Sequence, residues 1–260
     1  MSESQVFNNG KDNNSYSDYS SRVGFFGRVF LYLFLGLLLS AGVCLLLSNL
    51  LYRVLSSGSS EVMVSQFGVY MTILIVSGVA LIITSIVISF KQMRSKNILI
   101  PYIIYSLLMG ITLSGLVVFI GDPNIIGSAL GVTSLLFLVM CICGFLFKGR
   151  IGWIVGMLVG LCVTGGILCL VNIFLFPFAF GVESAFDAYC TIYWISEGVF
   201  LLIILISTFL DMWRINQISK QGAGSSNIEL YCALNLYSDF IMIFVRVLYF
   251  IAISGILKRD

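Results

Sequence analysis

The stretch LNLYSDFIMIFVRVLYFIAISG, residues 234–255, is long and apolar enough to cross a bilayer, yet it carries Asp239 and Arg246 in its interior. Each such group costs roughly 2.5–3.5 kcal/mol at mid-bilayer on the mildest insertion scale, so it normally faces the protein interior and marks a pathway, a proton relay or a buried pair. Asp239 lies about nine residues into its span, roughly 14 Å from the end, too deep for so short a side chain to reach water. Arg246 follows about 10 Å further along and only about 20° round the helix, so both charges look toward one interior feature. Glu197 and Asp211 behave alike in the preceding apolar run: Glu197 is about nine residues in from the outer end, and Asp211, at the inner end, is about 40° away on the same face.

In two antiparallel neighbours, residues at one depth have a constant sum of numbers. Glu197 and Arg246 come out at similar depth, so an ion pair buried in the bundle is the plain reading of both. Asp211 and Asp239 are offset from that pairing by about 10 Å. Either long side chains and tilt absorb the offset, or one pairing goes to a third helix.

The elements that hold these residues are membrane spans. Of 260 residues, 59% are hydrophobic and 10% charged, too little polar surface for a soluble domain. Apolar runs predict seven helices, at 29–51, 68–90, 98–120, 125–147, 151–176, 188–210 and about 230–256, making an all-α polytopic membrane protein. Residues 1–24 read as a polar, disordered cytoplasmic tail and 25–260 as the seven-helix transmembrane domain. With the N-terminus inside, Lys11, Arg22, Arg28, Lys91, Arg94, Lys96, Lys148, Arg150, Arg214 and Lys220 are cytoplasmic, against Arg53, Lys258 and Arg259 outside. A re-entrant last segment would return Lys258 and Arg259 to the inside.

Composition also excludes functions. A net charge of +2 with scattered basic residues makes no nucleic-acid footprint. There is no histidine, which removes Ser-His-Asp and Cys-His catalysis. Seven cysteines without CxxC spacing read as small buried hydrophobes rather than zinc ligands. Nothing calls for a cofactor, and an enzyme is not expected. Gly152, Gly156 and Gly160 fall on one helix face, which suits close approach of a neighbouring helix and equally a pore lining or a dimer contact.

The segment ALNLYSDFIMIF, residues 233–244, resembles the signature of the Bax-inhibitor-like family, the transmembrane Bax inhibitor motif proteins, here in its bacterial-type form. LLMGITLSGLVVF, residues 107–119, is similar to the family's Gly-Ile-Thr-Leu-Ser segment, and Asp211 precedes RINQISK where the family places an Asp-Thr-Gln-like motif. The resemblance implies a seven-helix bundle with a central last helix and two facing aspartates, Asp211 and Asp239, that share a proton. These would sense pH, gate a calcium leak and hold Ca²⁺ weakly and transiently. A basic latch near the inner end of the second helix would be Lys91 or Arg94. Met212 and Trp213 replace the Thr-Gln of the motif, and Glu197 and Arg246 lie outside the pattern, as a compensating pair particular to this chain would. The membrane implied is a bacterial inner membrane or, as the alternative, an intracellular organelle membrane, and the partners are the lipid bilayer and Ca²⁺ or another cation. The alternative is a regulatory membrane protein that modulates a membrane-bound protease or a stress or cell-death partner through the polar tail or the glycine face. A proton-coupled transporter would also use buried carboxylates, but the two halves show no inverted repeat of interrupted helices.

Overall fold

The computed structural model describes residues 3–57, 60–93, 98–147, 149, 151–179, 183–220 and 226–256, and side chains are described outside 3–22, 54–57, 60–67, 89, 91–93, 177–179, 183–187 and 254–256. The described residues form seven α-helices and no strand: α1 (Glu3–Ser57), α2 (Ser60–Met93), α3 (Leu99–Ile120), α4 (Pro123–Leu146), α5 (Gly152–Ala179), α6 (Glu183–Lys220) and α7 (Ser226–Ile256). Each contains a stretch long and apolar enough to span a membrane.

Two boundaries differ from the sequence expectation. Helix α1 begins at Glu3 and so runs through the segment expected as a disordered tail. No proline falls before Pro101 to interrupt it, and extending an existing helix gains a hydrogen bond for each residue fixed. Helix α6 continues to Lys220, so Asp211 lies inside the helix rather than at its end. Hydropathy falls after residue 210 but helix propensity does not.

The chain divides into two compact units. Unit 1 is Met1–Ile126 with Ile215–Tyr237, and unit 2 is Gly127–Arg214 with Ser238–Asp260. In unit 1, α3 packs against α1 and α2, and the Gly-Ile-Thr-Leu-Ser segment supplies the contacts. A Cβ on Gly110 would stand 2.6 Å from the Ser40 carbonyl oxygen, so only glycine permits that approach. Thr112 and Ser114 hydrogen-bond Ser77 (3.2 Å) and Tyr70 (2.9 Å) of α2. The Tyr102 hydroxyl donates to the Tyr32 carbonyl at 2.7 Å. Helix α3 stops at Gly121, whose φ of 66° is left-handed and whose N–H returns to the Val117 carbonyl.

Helix α7 is the most deeply packed element, with half of its apolar window buried (50%) against 11–28% for the other spans. It is the natural place for a polar group that must be kept from lipid. Helix α5 is the opposite. Gly152, Gly156 and Gly160 are all exposed, and a Cβ on any of them would meet nothing within 4 Å. The close helix neighbour expected on this ridge is therefore absent among the described residues of the chain, because the small residues of α5 face outward. The cysteines divide too: Cys44, Cys141 and Cys232 are buried as expected, whereas Cys143, Cys162 and Cys169 point outward and Cys190 is intermediate. A thiol is apolar enough to face lipid as readily as a core.

Candidate functional site: a carboxylate pair and an ion pair between two helices

Within unit 2, α6 and α7 present four ionisable side chains to one another. The Asp239 carboxyl is 6% exposed and lies close to the Thr208 side chain and the Asp211 carboxyl. Its Oδ2 is buried without a hydrogen-bond partner, and no ion pair reaches it among the described residues. Such an atom has lost its water and received nothing in exchange, an expensive arrangement unless a proton, an ion or a water is held there.

Asp211 is brought to this position by α4. A Cβ on Gly144 would stand 2.5 Å from the Phe209 carbonyl oxygen and 3.0 Å from the Met212 Cβ, so α4 and α6 touch almost backbone to backbone beside Asp211. On the same face of α4, Phe137 meets Phe240 edge-on with ring centroids 5.4 Å apart, and Cys141 is close enough to Asp239 to feel its charge. Gly144 is thus a positioning residue that the sequence does not advertise; its signal is a single glycine three residues after a cysteine and seven after an aromatic ring on one helix face.

Glu197 and Arg246 do form an ion pair, Nη1 to Oε2. The Arg246 guanidinium also stands 5.1 Å from the centroid of the Phe200 ring. Next to the pair, Tyr193 packs on Tyr249 (6.0 Å), and Trp194 on Phe250 (5.5 Å). Both pairings of the four ionisable groups are made by the same two helices, so no third helix takes one of them. The reach of the Arg246 side chain accounts for part of the depth offset between them.

The basic residue beside Asp211 is Arg214, one turn further on, with Nη1 3.8 Å from Oδ1. The Lys91 side chain and the whole of Arg94, the two expected latch residues, lie outside the described residues. A further acid, Glu229, escapes sequence reasoning because it falls just outside the last apolar run and reads as a loop charge. In unit 1 it is 2% exposed in the first turn of α7, and Arg28 grips it: Nε donates to both carboxylate oxygens at 2.9 Å, and Nη2 is 2.7 Å from Oε1. Among the described residues no group of three or more His, Cys, Asp or Glu side chains could hold a metal ion.

Seven membrane-length helices among the described residues define a multi-pass integral membrane protein. The model of the family Bax1-I, "Inhibitor of apoptosis-promoting Bax1", matches residues 22–255, nearly the whole chain, and the chain belongs to that family. Its members are non-catalytic membrane proteins. No curated protein matches the chain.

Proposed function

We propose that the chain is a pH-sensitive cation leak, for Ca²⁺ above all, in which Asp211 and Asp239 share one proton and switch the path as a unit. The observation that carries this reading is the Asp239 carboxyl: buried, facing a second carboxyl, with one oxygen unpartnered and no ion pair among the described residues. Two carboxylates so close in a low-dielectric interior cannot both ionise cheaply, so they hold a proton between them and titrate together. Their oxygens suit a hard cation but fall short of the six to eight of a tight Ca²⁺ site. Passage with transient contact fits them better than storage. The proximity of Arg214 to Asp211 supports it, in place of Lys91 or Arg94, as the latch: drawn to an ionised Asp211 and released when the pair gains a proton, so that acid opens the path. The excess of Lys and Arg on one side of the spans supports a cytoplasmic N-terminus and, for a bacterial-type member, the inner membrane.

Purified protein in liposomes loaded with a calcium-sensitive dye tests the reading. Flux should depend on pH in the natural chain and lose that dependence in Asp239→Asn, which removes the shared proton site while keeping size and polarity. No flux above empty liposomes at any pH would overturn the leak. The outward glycine ridge of α5 favours a second reading, a regulator that binds a membrane protease or a stress or cell-death partner; a bulky Gly156→Leu change would then abolish the cellular effect while Asp239→Asn leaves it intact.

A further inference from the structure

We propose that Glu197 and Arg246 form a charge-selecting station on the outer side of the carboxylate pair, with Arg246 as the residue that holds the station electrically neutral. The proposal rests on the cation-leak reading and assigns the specificity-determining charge of that path. Three observations carry it.

Arg246 occupies the same face of α7 as Asp239, about 10 Å further outward, so an ion leaving the aspartates along that face meets the pair next. The pair is not sealed: the side chains keep 28% (Arg246) and 12% (Glu197) of their exposure, unlike fully buried Ile243 and the well-buried Leu205. On α4, eight residues and so about 12 Å along the helix from Cys141, Thr133 is fully buried and its Oγ1 has no hydrogen-bond partner. A buried, unpartnered hydroxyl is a group a hydrated cation would use in passing.

The chemistry explains why a pair stands there. A purely structural pair has no advantage over apolar side chains of similar volume, which pack as well or better. A lone Glu197 would hold a divalent cation and concentrate it; a lone Arg246 would repel it. The bound pair does neither, and passes an ion on. A unit charge about 10 Å from the aspartates, at an effective dielectric of about 20, changes the occupancy there on the order of ten-fold for a monovalent cation and a hundred-fold for Ca²⁺.

The test is Ca²⁺ flux and reversal potential in liposomes, at one pH where the natural chain conducts. Arg246→Gln should raise the initial Ca²⁺ rate by between about ten- and a hundred-fold and move the reversal potential toward Ca²⁺, Glu197→Gln should lower the rate by a similar factor, and the double variant should return to within about two-fold of the natural chain. Arg246→Lys, which keeps the charge, should leave both readouts unchanged. Where a single variant does not purify folded, Glu197→Gln/Arg246→Glu moves the lone acid to α7 without stranding an arginine, and must show the same gain as Arg246→Gln. Shifts in the same direction for opposite charge changes, or no shift, would overturn the proposal. A natural chain that conducts and responds to Asp239→Asn, yet ignores the charge at 197 and 246, removes this inference alone; a natural chain that conducts nothing removes the leak with it.

Discussion

Glu229 and Asp239 are two acids on one helix, ten residues apart and almost equally buried, at 2% and 6% exposure. Their surroundings have nothing else in common. Glu229 lies in the first turn of α7, where the helix dipole favours negative charge, and the Arg28 guanidinium satisfies both of its oxygens. Asp239 lies in mid-helix, faces another acid, and keeps an oxygen without a partner. Equal burial therefore says little about role; what distinguishes an anchoring carboxylate from one able to change its state is whether a cation has been supplied with it. Glu197, held by Arg246, belongs with Glu229 in this respect, although it shares its helix and its unit with Asp211.

Removing cations and carboxylates separately would break the comparison if it is wrong. The largest effect is expected at the Glu197–Arg246 pair: Glu197→Gln or Arg246→Met alone should cost about 3–5 kcal/mol, and the double change much less, because only the single variants leave a charge unpaired. Thermal unfolding in detergent measures this, and additive losses would dissolve the pair. Arg28→Met should cost less than either, because its side chain is 57% exposed and water can reach part of the abandoned site. Next comes Gly144→Ala, which pushes a methyl against the α6 backbone beside Asp211; a loss of about 1–3 kcal/mol is expected, with flux falling as well. Smallest are Asp239→Asn, expected within about 1 kcal/mol of the natural stability because no ion pair is broken, and Gly156→Ala, which meets nothing and should stabilise by at most about 1 kcal/mol through helix propensity. If Asp239→Asn destabilised as much as Arg28→Met, the two acids of α7 would be equivalent after all.

The sequence is most informative where membrane physics is strictest. Seven apolar runs give seven helices because no other structure satisfies the backbone in lipid, and the depth arithmetic for Glu197 and Arg246 finds a true pair because the helices are antiparallel and close. The family motif at 233–244 marks Asp239, and the structure adds what surrounds it. Legibility fails at the ends and faces of helices. Arg28 and Glu229 each read as a solvated charge, since nothing in a hydropathy run says that the middle of α1 meets the start of α7. The extension of α6 past Asp211 is hidden because hydropathy reports lipid contact, not helix length. Glycines mislead in the other direction: the regular ridge on α5 touches nothing described, whereas the isolated Gly144 and Gly110 are where helices come together. Spacing shows which residues share a face, but only tertiary packing decides what that face meets.

The division of the cysteines gives the chain a clock of its own. Cys141 is buried beside Asp239, and Cys143, two residues on, points outward. A membrane-permeant maleimide should label Cys143 at once and Cys141 only when the α4–α6–α7 contact loosens, so the ratio of the two rates reports how often the aspartates are uncovered. Followed across pH in the unaltered protein, that ratio would time the breathing of the site without any ion being transported.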